Sequence, residues 1–369
     1  STFRVALKPA AVLATAGVAL TAGLMGLFAT WIFGLDWRYG LLLGAIVGST
    51  DSAAVFSLLR FSGVRLNERV GATLEIESGA NDPMAIFLVV LLLDLITKPE
   101  TATLSGGLLY LVQQFGLGTL AGLAGGYALA WVLDRVRLAE GLYALLIASG
   151  GLFVFAVTNQ LGGSGFLAIY LAGLLIGNSR SRATELVLRV MDGLAWLAQA
   201  GMFLILGLLV TPSNLLDYGF KALAVAIFLI VIARPVGVLL CLAPFRFPRR
   251  EISYIAWVGL RGAVPVVLAV FPVMADIAHA RLLFDATFAV VLVSLIVQGS
   301  TVPLMARWLK VVVPPRPAPL QNKTLWLDRS HSVELYSFRL TAAALACGQY
   351  ADRLRDEHDK PVPCLFWVR

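Results

Sequence analysis

The chain has 369 residues, of which 59% are hydrophobic and 14% charged, and its mean hydropathy is +0.84. Soluble globular domains carry about 25% charged residues, so a water-soluble fold is close to excluded; at about 20 residues per helical crossing there is room for roughly ten membrane spans. The 29 Lys and Arg against 22 Asp and Glu, a net charge of +7, read as loop charge on the inner side of a membrane and do not require nucleic acid.

Apolar stretches bounded by charges or by Pro and Gly clusters fall at 9–33, 39–59, 71–96, 104–133, 141–161, 165–178, 190–211, 218–243, 252–275 and 282–306. They predict ten helical spans, the sixth being the shortest. With the first residues placed inside, the inner loops hold Arg4, Lys8, Arg60, Arg65, Arg69, Arg135, Arg137, Arg180, Arg182, Arg189, Arg246, Arg249 and Arg250, whereas the outer loops hold only Arg38, Lys98, Lys221 and Arg281. That asymmetry follows the positive-inside rule only if the sixth segment crosses. Both ends are therefore expected on the cytoplasmic side of the plasma (inner) membrane.

From Val313 the run Pro314-Pro315-Arg316-Pro317-Ala318-Pro319 reads as a stiff, helix-breaking linker. Beyond it, 332–340 alternates as a strand does, 341–355 reads as a polar-faced helix and 361–368 as a further strand. The expected organisation is a transmembrane domain over 1–311, a linker over 312–331, and over 332–369 the truncated start of a cytosolic α+β regulatory domain. With no initiator Met, the chain reads as a fragment. Cys241, Cys347 and Cys364 are too few and too scattered for a disulfide framework or a structural zinc site.

Charge at membrane depth costs at least about 2.5 kcal/mol per residue and marks function by default. Away from span ends these residues are Asp51, Glu75, Glu77, Asp82, Arg234 and Arg261. Gly48-Ser49-Thr50-Asp51-Ser52 interrupts the second span, and Gly259-Leu260-Arg261-Gly262-Ala263-Val264-Pro265 interrupts the ninth. Unwound backbone is tolerated at that depth only where it is buried in protein or lines a cavity. Two broken helices seven spans apart run in opposite directions, which predicts inverted repeats whose discontinuous helices cross near the midplane, spans one to three matching eight to ten. Half-helix ends of both polarities then need compensating charge, which Asp51 and Arg261 supply. Alone, Asp51 also reads as a helix cap, and Arg234 as a snorkelling residue near the end of span eight.

In the third span Ser78, Asn81 and Asp82 share one helical face, an oxygen-lined set suited to a hard monovalent cation. Glu77, five residues or about 500° of helical rotation before Asp82, points elsewhere and is expected to pair with Arg261. Gly118, Gly122 and Gly126 read as a helix-packing surface. Gly162-Gly163-Ser164-Gly165 resembles an intramembrane serine-protease motif, but no histidine lies at membrane depth to act as base; a turn accounts for it. No phosphate-binding, dinucleotide or zinc motif is present; neither enzyme activity nor a cofactor is expected.

Thr50-Asp51 in an interrupted span, Glu77-Ser78 followed by Asn81-Asp82 in the next, and Gly259-Leu260-Arg261-Gly262 late in the chain together resemble the NhaP-type cation:proton antiporters, over about residues 1–310. Ser52 after Asp51 and Ile76 between the glutamates depart from the commoner pattern and are more similar to the potassium/proton branch linked to cell volume regulation. The resemblance implies a homodimeric, all-α polytopic protein with a mobile core of crossed broken helices. It implies a cation, K+ or Na+, held by Asp82 with Ser78 and the Thr50 carbonyl; Asn81 marks electroneutral exchange with H+, and Glu77 pairs with Arg261. It also implies a regulatory ligand for the cytosolic tail and the absence of the family's first spans. A cation channel and a sodium-coupled solute symporter remain as competing readings of the same ligands and breaks.

Overall fold

The computed structural model describes residues 2–98, 104–136, 138–179, 182–209, 212–313, 321–326 and 332–337. The chain forms two compact units, Ser1–Pro314 and Pro315–Arg369.

In the first unit, α1 (Thr2–Val12) runs through a π-helical turn, Leu13–Gly17, into α2 (Val18–Phe33). The second apolar stretch is split into α3 (Trp37–Ile46) and α4 (Ser52–Phe61), and α5 (Glu68–Thr97) follows unbroken despite Pro83. Four helices come next: α6 (Leu104–Arg135), α7 (Glu140–Gln160), the short α8 (Gly165–Gly177) and α9 (Arg182–Leu209). Then α10 (Pro212–Phe228) passes through a second π turn, Leu229–Ala233, into α11 (Arg234–Leu242). The ninth stretch is again split, into α12 (Arg249–Trp257) and α13 (Val264–Met274). Finally α14 (Ala280–Ser294), a third π turn at Leu295–Gly299 and α15 (Ser300–Trp308) form one long rod.

Among the described residues seven helices are long and apolar enough to cross a membrane, and Ser52–Phe61, Gly165–Gly177 and Val264–Met274 are shorter apolar helices. Seven continuous rods, two broken ones and α8 account for the ten stretches of the sequence. Large apolar side chains such as Leu152, Phe153, Leu204 and Leu208 stand 66% or more exposed, as lipid-facing residues do.

Small residues set the helix spacing. A Cβ at Gly44 would fall on the Ala22 carbonyl of α2, so α2 and α3 touch backbone to backbone. Gly118, Gly122 and Gly126 of α6 sit on Ser164, which caps α8, and on Ala168 and Ala172 of α8 in the same way, a four-residue ladder on both partners. The Gly162-Gly163-Ser164-Gly165 turn has Gly162 at φ 79°, and Ser164 caps α8 by accepting from the Leu167 amide at 3.3 Å.

Two apolar cores flank the breaks. One combines Met25 of α2, Leu42 and Ile46 of α3, Val89 of α5, Val225 of α10, Leu268 of α13 and Val290 of α14. The other combines Leu13, Leu59 of α4, Leu74 of α5, Leu242 of α11, Tyr254 of α12 and Val302 of α15. Where the first repeat gives a core the later half of its first span and the earlier half of its second, the second repeat gives the earlier and later halves respectively. That exchange is the inverted symmetry. The polar residues of the breaks lie between the cores.

At one end of this unit, Asn67 N donates to Val311 O and Val313 N to Arg65 O, each at 2.9 Å, around an antiparallel Leu66–Val312 bridge. In the second unit β1 (Gln321–Trp326) pairs antiparallel with β2 (Ser332–Ser337), from Gln321 opposite Ser337 to Trp326 opposite Ser332. β2 coincides with the start of the strand read at 332–340, whereas β1 falls inside the stretch read as linker. Its Asn, Lys and Thr hid it, because strand pairing needs no apolar run. The helix and strand expected at 341–355 and 361–368 lie outside the described residues.

Candidate cation-binding site

Both interrupted spans break where a serine or glycine cluster gives the helix little side-chain packing and an alternative set of hydrogen bonds. In the first break Asp51 is extended and caps α4, its Oδ1 accepting from the Ala54 amide at 3.1 Å. In the second, Pro265 lies in the first turn of α13, where its missing N–H costs nothing. The breaks bond to each other: Asp51 N donates to Leu260 O at 2.8 Å, and Arg261 Nη1 donates to Gly48 O at 2.7 Å and Ser49 O at 2.6 Å. A guanidinium thus meets the negative C-terminal end of half-helix α3, while the Asp51 carboxylate sits at the positive N-terminus of α4.

The two glycines of Gly259-Leu260-Arg261-Gly262 each make room for a charged neighbour. A Cβ at Gly262 would overlap the Asp51 carboxyl, and one at Gly259 would come within 2.8 Å of Arg234 Nε.

The third span supplies the remaining oxygens. Ser78 Oγ donates to Thr50 O at 2.9 Å and accepts from Ser52 N at 3.1 Å; Asn81 Nδ2 donates to Thr50 Oγ1 at 2.6 Å. Ser49 Oγ donates to Asp82 Oδ1. Thr50, Asp51, Ser78 and Asp82 line a cavity of about 370 Å³, closed on another side by Ala195, Ala198, Gln199 and Met202 of α9 and by Gly262–Pro265. Asn81 is fully buried behind it, holding the Thr50 hydroxyl. Ser49 and Gln199 were not singled out from the sequence. Ser49 adjoins the break, and Gln199 is a lone amide on an apolar stripe whose 195, 198, 199, 202 spacing marks one helical face.

The expected Glu77–Arg261 ion pair is replaced. Glu77 Oε1 lies 2.6 Å from Arg234 Nη1, both side chains being about 97% or more buried. Arg261 is drawn instead to the carbonyls at the end of α3. The snorkelling reading of Arg234 is overturned with it: the guanidinium stays buried inside the span Gly219–Phe245 and pairs with Glu77 instead of reaching the membrane surface, and at that depth only a paired charge is tolerable. Glu75, by contrast, is exposed.

Residues 1–308 match the family model described as "Sodium/hydrogen exchanger, transmembrane". A K(+)/H(+) antiporter NhaP2 from Shewanella sp. (strain MR-4) is 51% identical over 357 residues, 96% of this chain and 62% of that protein. A K(+)/H(+) antiporter NhaP from Alkalimonas amylolytica is 48% identical over 339 residues, 92% of this chain and 59% of that protein. The chain thus spans about three-fifths of the length of these curated relatives. The solved sodium proton antiporter MjNhaP1 from Methanocaldococcus jannaschii superposes with a TM-score of 0.71 at 26% identity, covering 84% of each chain. These relatives are transporters and not enzymes. With crossed broken helices, an oxygen-lined cavity between them and a family match over nearly the whole membrane unit, the chain belongs to the transmembrane sodium/hydrogen exchanger family.

Proposed function

We propose that this protein exchanges a monovalent cation for a proton, with K+ the favoured cation and Na+ the second. The observation that carries the reading is the convergence of Asp82, Ser78 and the Thr50 backbone on one cavity at the crossing of the breaks. All the candidate ligands are oxygens, which suits a hard cation. Relatives named as K+/H+ antiporters at about 50% identity favour K+ and favour exchange over the channel and symporter readings.

Asp82 holds either a proton or a cation, because one carboxylate cannot serve both at once, and that competition couples the two fluxes. Asp51 is engaged as the cap of α4, and Asn81 is neutral, so one carboxylate carries one proton against one cation and the exchange is electroneutral. Thr50, Ser78 and Asn81 shape the site: Ser78 and Asn81 hold Thr50 so that the unwound backbone faces Asp82. Rigid-body motion of the crossed helices against α6–α9 then carries the site between the two sides. The protein works as a homodimer in the plasma (inner) membrane, with the first residues and the tail cytoplasmic, and the second unit begins a domain that binds a regulatory ligand.

The test is Asp82→Asn in the full-length protein, reconstituted with a pH-sensitive dye and titrated separately with K+ and Na+. Exchange is expected to vanish while the monodisperse protein is recovered in normal yield. Retained proton-coupled flux would sink the single-carboxylate reading. Half-saturation at lower Na+ than K+ would reverse the cation preference.

A further inference from the structure

Each break is held by a serine from the span that follows it, but the two serines have different companions. In the first repeat Ser78 binds the main chain at Thr50 and Ser52, and Asp82 lies one turn further along α5. In the second repeat Ser294 Oγ accepts from Arg261 N at 3.0 Å, and Gln298 lies one turn further along the rod. Ser294 Oγ donates to Gln298 Oε1 at 2.5 Å, and Gln298 Nε2 donates to Trp257 O at 2.6 Å. The position equivalent to the carboxylate is thus a neutral amide that spans the break, tying the last residue of α12 to the middle of the interruption.

Ser294, Gln298 and Arg261 are all at least 99% buried. Gln298 lies in the π turn Leu295–Gly299, where the extra residue re-aims its side chain. The Trp257 carbonyl is a C-terminal orphan of α12 that would otherwise lack a donor at membrane depth. Gln298 meets that need without adding a titratable group, and through Ser294 it fixes the amide of the residue whose guanidinium holds Gly48 O and Ser49 O. Those two carbonyls immediately precede the Thr50 ligand.

We infer that Gln298 and Ser294 form a positioning couple that sets cation affinity from the far repeat, acting on the Thr50–Asp82 site through Arg261. This rests on the exchange reading above. Neither residue touches the cavity, so their removal acts on binding only by letting Arg261 and the break carbonyls shift.

The experiment uses full-length protein in proteoliposomes, reading the half-saturating K+ concentration and the maximal exchange rate separately. Ser294→Ala and Gln298→Leu are each expected to raise the half-saturating concentration about fivefold, the effect of one lost buried hydrogen bond, with the maximal rate kept within about twofold. Ser294→Thr, which keeps the hydroxyl, is expected to stay at the wild-type value. The double variant is expected to be no worse than the more affected single, because the two act through one path. An unchanged half-saturating concentration, a loss confined to maximal rate, or a Ser294→Thr variant as impaired as Ser294→Ala would overturn the inference. If Gln298→Leu is not recovered folded, the two Ser294 variants decide. If the wild type itself shows no exchange, the functional reading fails, and K+-dependent stabilisation against heat in detergent tests the same rank order independently.

Discussion

The two broken helices have one architecture and opposite chemistry. The first break, between α3 and α4, presents its main chain to a cavity with carboxylates at Asp51 and Asp82. The second, between α12 and α13, is closed by Arg261, Ser294 and Gln298 and faces the cavity only through Gly262 to Pro265. Inverted repeats therefore need not give two equivalent sites. One repeat supplies the carboxylates and the hydroxyl oxygens of the cavity; the other supplies the guanidinium that meets one half-helix end and the amide that caps another.

The sharpest way to break this division is to move charge out of the buried layer. Arg234→Ala leaves Glu77 as an unpaired carboxylate buried to 1% exposure, and removing one partner of a buried pair typically costs about 3–5 kcal/mol. A large fall in folded yield and melting temperature is expected, with much of it recovered when Glu77→Gln is added. Equal, additive losses in the double variant would show that the pair is not the relevant unit.

A smaller effect is expected at the contact between the breaks. Gly262→Ala places a methyl on the Asp51 carboxyl, so either Asp51 abandons its cap on α4 or the breaks separate. Loss of the cap alone costs about 1 kcal/mol. Exchange is expected to drop at least tenfold while the protein still folds, and Gly259→Ala, which presses on Arg234, is expected to affect stability more than transport. Measuring both variants for yield and flux separates the two roles of the glycines.

The smallest effect is expected outside the breaks. Arg38→Ala removes an ion pair with Asp36 at 3.5 Å in which both side chains are more than one-third exposed, and such pairs are worth about 0–1 kcal/mol. Neither melting temperature nor exchange is expected to change measurably. A clear effect there would mean that charge outside the buried layer matters to the mechanism.

Much of this was legible from residues alone. The positions of the helical stretches followed from apolar runs, and the two breaks followed from Gly, Ser and Pro clusters in mid-span. The face carrying Ser78, Asn81 and Asp82 followed from helical periodicity. What escaped was partnership across the fold. Glu77 had two arginines to choose between, and the choice depended on the carbonyls of Gly48 and Ser49 engaging Arg261 and leaving Arg234 to the glutamate, a contact between distant spans that periodicity does not encode. Likewise Gln298 is a single amide in an apolar rod; only the π turn beneath it directs it to Trp257. Ser49 could have been flagged by its place in the break, but its hydrogen bond to Asp82 depends on how the unwound segment crosses α5.

The bridge between residues 65–67 and 311–313 has a consequence of its own kind. Its two hydrogen bonds are made wholly by main-chain atoms, so they place no demand on the identity of Leu66 or Val312, and side-chain replacement passes through the bridge silently. Only a residue without an amide hydrogen can sever it, at Asn67 or Val313. The stretch that leads out of the membrane unit is therefore stitched to the loop joining α4, which follows the break at Thr50, to α5, which carries Asp82, by a seam that sequence drift cannot easily unpick.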